Sequence, residues 1–120
     1  MSSVAITIVA EGHGLTAAMD ERFGRAPRFL VVDVDTGEVA RTLDNPAVQA
    51  AHGAGTGAAS MMRDEGVHAV ISGRFGPKAF EALRALGIEA WMASPGLTAE
   101  QALSRFCDGR LERMQLREYR

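Results

Sequence analysis

The second half of the chain alternates short apolar stretches with an amphipathic segment, and this alternation constrains the fold more than any other feature. The stretches VHAVISG (67–73) and IEAWMA (88–93) have the length and composition of buried strands. Between them, Pro77 begins and Gly87 ends the segment PKAFEALRALG, which predicts a helix. Because strands joined by a single helix lie parallel with a right-handed crossover, we expect an α/β sheet.

Two more helices flank these strands. The segment AASMMRDE (58–65) is helical in composition and is followed by Gly66, a typical residue at the end of a helix. Thr98 and Gln101 have the spacing of a capping box, which predicts that TAEQALSRFC forms the last helix.

The first half predicts three strands without helices. VAITIVA (4–10) and RFLVVDVD (28–35) are rich in β-branched and apolar residues, and DTGE (35–38) has the composition of a hairpin turn leading into VARTLDN. The predicted element order is β-β-β-α-β-α-β-α, in one domain spanning 1–120. We expect a mixed five-stranded sheet with strand order 3-2-1-4-5.

This strand order creates a topological switch point between the first and fourth strands, where ligands of open α/β sheets bind beyond the carboxyl ends. The loops AEGHGL (10–15) and SGRFGP (72–77) are predicted to meet there. We also expect the helix start near 55–57 to lie close to this point.

Composition excludes several classes of protein. A net charge of −2 over 120 residues offers no basic surface for nucleic acid. The apolar run Val4–Ala10 is too short for a signal peptide or a membrane span, so we expect a cytoplasmic protein without membrane association. The single cysteine, Cys107, excludes an intramolecular disulfide and a site of several thiolates, and its helical position predicts burial.

Glycine-rich loops are the main candidates for function. In HGAGTG (52–57), alternate glycines precede a helix, where bare amides and the helix dipole favour an anion; a merely flexible loop is the alternative. The loops at 10–15 and 72–77 are also rich in glycine. Their candidate residues are Gly12, His13, Gly73, Arg74 and Gly76.

Histidine and arginine side chains accompany these glycines. His13 and His52 are candidate metal ligands, since neutral imidazole is a common nitrogen ligand, although solvated loop histidines are common. Arg25 follows Gly24 and could bind an anion through its planar guanidinium group. Pairing with a neighbouring carboxylate is the alternative. For Lys78 we expect a solvated helix face.

The chain carries no enzyme signature such as G-x-S-x-G or H-E-x-x-H. Near the end of the first strand only Glu11 could serve a two-metal nuclease, which argues against that activity. We therefore expect a protein that is not an enzyme.

Five stretches together resemble a known family. They are ERFGRAPRFLVVDVDTGE (21–38), NPA (45–47), HGAGTGAA (52–59), GVHAVISG (66–73) and GPKAFEALRALGI (76–88). They resemble the dinitrogenase iron-molybdenum cofactor biosynthesis family, which includes the NifX-type carriers and the C-terminal domain of NifB. The resemblance covers nearly the whole chain.

The resemblance implies a three-layer ribonuclease-H-like domain. It also implies a non-catalytic carrier that stores or delivers an iron-sulfur or molybdenum-containing cluster, or its precursor, with a cofactor-assembly or acceptor protein as partner. Many similar small proteins have no assigned role, so a link to nitrogen fixation is not implied for each. By match to the family's glycine-rich stretches, the resemblance implies that the following residues form the edge of the binding site: Phe23, Gly24, Arg25, His52, Gly53, Gly55, Gly73 and Gly76.

Two other classes stay open. One is a dimeric regulatory or interaction module without metal, and the other is an enzyme acting on a phosphate-containing ligand. A monomer and a homodimer are both compatible with the sequence.

Overall fold

The computed structural model describes residues 2–46 and 53–115. No helix within these ranges combines the length and the hydropathy needed to cross a membrane. The strands are β1 (Ser3–Ile8), β2 (Arg28–Asp33), β3 (Val39–Asp44), β4 (Ala69–Ser72), β5 (Glu89–Met92) and β6 (Glu112–Arg113). The helices are α1 (Ala54–Asp64), α2 (Pro77–Ala85) and α3 (Ala99–Cys107), with a 3₁₀ turn at Gly14–Thr16.

The sheet has the order β3-β2-β1-β4-β5-β6, which confirms the predicted order of the first five strands. β1 pairs with β2 and β2 with β3 in antiparallel fashion, whereas β1 pairs with β4 and β4 with β5 in parallel. The sixth strand, β6, was not predicted. It contains only two residues, too few for a periodic pattern, and pairs antiparallel with Trp91 and Met92 of β5.

The sheet separates two apolar cores, which gives the molecule three layers. Val4, Ile6 and Ile8 of β1 pack on the face covered by α3, whereas Ala5 packs on the face covered by α1 and α2. This alternation follows from the period of two in a strand. Met62 of α1 is fully buried in the core that α1 and α2 cover.

Helix α1 begins at Ala54, before the helical stretch predicted at 58–65 and close to the helix start expected near 55–57. Gly53 precedes it with a φ of 75°, a left-handed conformation that glycine adopts without strain. Gly55 and Gly57 have low helix propensity and favoured a later start. Packing of this first turn against Gly24 and Ala79 outweighs that propensity.

Helix α3 has the predicted capping box. Thr98 Oγ1 accepts from the Gln101 amide at 3.2 Å, and the Thr98 amide donates to Gln101 Oε1 at 2.9 Å. The predicted burial of Cys107 is wrong, because this last residue of α3 is exposed. Phe106 provides the final apolar contact of the helix instead, with its ring centroid 5.5 Å from that of Trp91.

The turn between β2 and β3 forms where DTGE predicts it. Asp33 Oδ1 accepts hydrogen bonds from the amides of Asp35 and Thr36 at 2.8 and 3.3 Å. Gly37 follows with a φ of 75°. The antiparallel pairing of β2 and β3 therefore rests on local turn chemistry.

Candidate anion-binding cleft

An open cleft of about 870 Å³ lies on the α1 and α2 face, beyond the carboxyl end of β4. Three segments line it: 22–25 before β2, 53–56 at the start of α1, and 74–79 at the start of α2. This is the region of the predicted switch point between β1 and β4. Its volume is in the range of small-ligand sites.

Close backbone contacts bring the three segments together. A Cβ built on Gly24 would lie 2.8 Å from both Cα and N of Gly55, and a Cβ on Gly55 would lie 2.7 Å from Cβ of Ala79. Such distances exclude any side chain at these two glycines without movement of the backbone. The glycines therefore let the loop before β2 and the first turns of α1 and α2 pack side by side.

Both helices begin at the cleft, and neither has a side-chain cap at its N-terminus. Gly53 precedes α1 and Gly76 precedes α2, and neither helix has a capping side chain at its first amides. Unpaired amides at a helix start carry partial positive charge. The first turns of α1 and α2 therefore favour negative charge in the cleft.

The charged side chains at the cleft are all cationic. Arg22, Arg25, Arg74 and Lys78 belong to its lining, and no aspartate or glutamate does within the described residues. Arg22 also lies 3.7 Å from a carboxylate oxygen of Asp20. Since the whole chain carries a net charge of −2, this concentration of positive charge is local to the cleft.

The tripeptide Arg-Phe-Gly occurs twice at the cleft, at 22–24 and at 74–76. The two copies run side by side: Arg22 and Arg74 form a parallel bridge, and the Phe23 amide donates to the Arg74 carbonyl at 3.2 Å. The rings of Phe23 and Phe75 are both buried, with their centroids 5.2 Å apart. We call these segments the paired R-F-G tripeptides; they give the cleft an aromatic base and two arginines.

Phe75 and Arg22 were not among the predicted site residues. The signal that could have found them is the recurrence of R-F-G in the sequence, because identical tripeptides in two loops near one sheet edge favour a common site. Lys78 is exposed, as expected, and it also lines the cleft.

Gly73 was predicted at the site but lies outside the lining. A Cβ at Gly73 would lie 2.7 Å from Cα of Glu21, so a glycine there lets the segment before β2 lie on the end of β4. Its contribution to the cleft is therefore through packing.

Gly12 and His13 occupy a different depression of about 360 Å³, lined also by Arg28, Thr42 and Asp44. The turn after His13 directs Leu15 and Ala17 into the core under α3, on the other face of the sheet. The structure therefore does not bring His13 to the cleft of the paired R-F-G tripeptides.

His52 lies outside the described residues, so its predicted ligand role stays a prediction. Its neighbour Gly53 lines the cleft. Within residues 2–46 and 53–115, no group of three or more histidine, cysteine, aspartate or glutamate side chains is arranged to hold a metal ion.

Comparisons with known proteins agree on the fold. The chain is similar to the apo form of the orange protein from Desulfovibrio gigas, with 42% identity, a TM-score of 0.87, and coverage of 95% of this chain and 93% of that one. It is also similar to a putative NifB protein from Thermotoga, with 33% identity, a TM-score of 0.80, and coverage of 98% and 99%. A putative dinitrogenase from Methanocaldococcus jannaschii, at 22% identity and a TM-score of 0.68 with 94% of each chain covered, supports the fold alone.

The sequence comparisons identify the family. An uncharacterized protein of Methanocaldococcus jannaschii is 31% identical over 99 residues, which cover 81% of this chain and 83% of the relative. Residues 4–109 match the family described as dinitrogenase iron-molybdenum cofactor. This match confirms the predicted resemblance, and the chain belongs to the dinitrogenase iron-molybdenum cofactor family.

Proposed function

We propose that this protein is a non-catalytic carrier that binds an anionic metal-sulfur cluster, or a cluster precursor, in the cleft of the paired R-F-G tripeptides. The cargo class is iron-sulfur or molybdenum-containing. One observation carries the proposal: the cleft combines four cationic side chains with two uncapped helix starts and has no acidic lining residue within the described chain. The family supports a role in cofactor handling.

The chemistry of the lining suits the outer atoms of such a cargo. Bridging and terminal sulfur atoms carry negative charge and accept hydrogen bonds from amides and guanidinium groups. The planar fork of Arg74 can donate two parallel hydrogen bonds, and the amides at the start of α2 add further donors. The protein would then bind the cluster largely through hydrogen bonds to the sulfur atoms that surround the metal.

The apolar part of the lining fits a cluster better than a phosphate. Pro77 and the nearly buried ring of Phe75 lie among the cationic side chains, and soft, weakly hydrated sulfide surfaces lose less on leaving water than phosphate oxygens do. This favours the carrier over the enzyme acting on a phosphate-containing ligand. A cofactor-assembly or acceptor protein would supply or receive the cargo.

Ligation of the metal by a histidine can be tested separately from binding of the cluster in the cleft. His52 adjoins the cleft in sequence, whereas His13 lies in the depression on the other face. We propose His52 as the ligand if the metal takes a protein nitrogen, and His13→Ala is the matched control. Equal loss of stoichiometric metal in both variants would contradict this choice.

The experiment is anaerobic loading with iron and sulfide, or with tetrathiomolybdate, followed by gel filtration, visible spectroscopy and analysis for iron, molybdenum and sulfide. We expect a coloured protein with stoichiometric metal. Arg74→Gln should lower the affinity for tetrathiomolybdate roughly tenfold, since it removes a charge-assisted hydrogen bond. Arg84→Gln, an exposed arginine at the other end of α2, is the matched control and should bind like the wild type.

A wild-type protein that stays colourless and metal-free under both loading conditions would contradict the carrier proposal. The dimeric interaction module would then become the better account. Sedimentation of the apo protein, which measures whether two copies associate, would test it.

A further inference from the structure

Buried polar side chains are few among the described residues, and they hydrogen-bond to one common segment of the main chain. Within residues 2–46 and 53–115, they are Thr7, Asn45 and Ser72, with exposed fractions of 0%, 4% and 0%. All three hydrogen-bond to main-chain carbonyl oxygens of the segment 20–26, which carries the first of the paired R-F-G tripeptides.

Thr7 and Ser72 hold the beginning of this segment. They lie side by side on the parallel strands β1 and β4, with their hydroxyl oxygens 3.0 Å apart. The Asp20 carbonyl oxygen lies 2.5 Å from Thr7 Oγ1 and 3.4 Å from Ser72 Oγ, and the Asp20 amide donates to the Thr7 carbonyl at 2.9 Å. The segment therefore starts from a fixed position on the sheet.

Asn45 holds the other end of the segment. Its Nδ2 donates to the Ala26 carbonyl at 2.8 Å and to the Gly24 carbonyl at 3.3 Å. Its own amide donates to the Pro27 carbonyl at 2.9 Å. The carbonyl oxygens on both sides of Arg25 are thus bound to one carboxamide from the end of β3.

Burying a polar side chain gives little stability compared with an apolar side chain of similar volume, and leaving it unpaired is costly. All the buried polar side chains of the described core nevertheless hydrogen-bond to one seven-residue segment. This indicates that the segment must be held in a fixed position. The segment has no helix or strand of its own to fix it.

We propose that Thr7, Ser72 and Asn45 are positioning residues of the cleft. They hold the segment 20–26 so that the first R-F-G tripeptide stays aligned with the second. The cargo-binding consequence rests on the proposed function, whereas the fixing of the segment can be measured without any cargo.

The test uses Thr7→Val, which keeps the shape of the side chain and removes its hydroxyl. Thr7→Ser restores the hydroxyl, and Ile6→Val is the matched control because Ile6 lies in the core on the opposite face. Two quantities are measured anaerobically: hydrogen exchange of the Phe23 amide by NMR, and the dissociation constant for tetrathiomolybdate.

We expect Thr7→Val to speed exchange of the Phe23 amide and to raise the dissociation constant, each by about tenfold, the loss expected for one buried hydrogen bond. Thr7→Ser should remain within about twofold of the wild type. Ile6→Val should lower the thermal midpoint without changing either quantity, because a packing loss on the other face does not move the segment.

Asn45→Asp is the second variant, in case the valine variant does not fold. It turns an oxygen towards the Ala26 and Gly24 carbonyls and should give a loss at least as large. Asp44→Asn, at the exposed neighbouring position, is its control.

The outcomes separate the two claims. Wild-type exchange and affinity in Thr7→Val, or equal changes in Ile6→Val, would overturn the positioning role while cargo binding stands. Faster Phe23 exchange in Thr7→Val, in a protein whose wild type binds no tetrathiomolybdate, would support the positioning role and contradict the proposed function.

Discussion

Replacing Gly76 by serine should stabilise the protein and weaken cargo binding at the same time. Gly76 precedes α2 with a φ of −70° and a ψ of 162°, an extended conformation that any residue adopts. A Cβ at this position would meet no atom within 4 Å. The fold therefore does not require glycine here, unlike at Gly24 or Gly55.

The stability gain has two sources. Serine exceeds glycine at the residue before a helix by a few tenths of a kcal/mol, because its hydroxyl accepts from a free amide. Removing a glycine also lowers the entropy of the unfolded chain, which contributes about 0.4–1 kcal/mol. Together these raise the thermal midpoint by roughly 2–6 °C.

The binding loss follows from the same hydrogen bond. The serine hydroxyl would accept from the amide of Lys78 or Ala79, and that amide could no longer donate to the cargo. Losing one hydrogen bond to a charged acceptor costs ~1.5–3 kcal/mol. The dissociation constant for tetrathiomolybdate should therefore rise by about 10- to 100-fold.

Thermal denaturation and an anaerobic titration followed by visible absorbance measure the two effects. Thr98→Ala is the matched control, because it removes the cap of α3, which does not line the cleft. It should cost about 1 kcal/mol of stability and leave the affinity unchanged. A Gly76→Ser protein that is stabilised but binds with wild-type affinity would refute the role of the α2 amides.

Three further predictions concern other positions. Gly24→Ala should destabilise the protein by about 1–3 kcal/mol in urea denaturation, because its Cβ would lie 2.8 Å from Gly55 backbone atoms; unchanged stability would show that the segments separate easily. Lys78→Gln should weaken tetrathiomolybdate binding less than Arg74→Gln does, since a flexible ammonium loses more side-chain entropy per hydrogen bond; titration of both variants decides the order. Cys107→Ser should change the free energy of unfolding by less than about 0.5 kcal/mol because the thiol is exposed, and a larger loss would indicate a packed side chain.

The strand order could be predicted because its determinants are local. The single helix between β4 and β5 gives a parallel crossover, and the turn at 35–38 requires an antiparallel hairpin. The capping box at Thr98 likewise needs only residues within one turn. Such signals lie within short windows of sequence, where side-chain periodicity and turn chemistry act directly.

The cleft could be predicted only in part. The glycine-rich loops indicated the edge of the sheet at which the cleft lies, but the contact between Gly24 and Gly55 joins residues far apart in the sequence. Periodicity carries no signal for such a contact. The first turn of α1, which the helical stretch predicted at 58–65 omitted, depends on the same packing.

The face of the sheet on which each loop lies could not be predicted from the sequence either. The loops containing His13 and Arg74 leave the same edge of the sheet, and only the packing of Leu15 under α3 shows that the first turns to the opposite face. The face that a loop covers depends on which core accepts its apolar residues. The sequence alone does not determine that choice.

The most direct test of the account is anomalous diffraction from anaerobic crystals loaded with tetrathiomolybdate, recorded at the molybdenum absorption edge. We expect a molybdenum peak in the cleft, with the sulfur atoms of the anion facing the Arg74 guanidinium and the amides that follow Gly76. A peak beside His13 on the other face, or the absence of any ordered molybdenum in crystals of a protein that binds it in solution, would contradict the central claim.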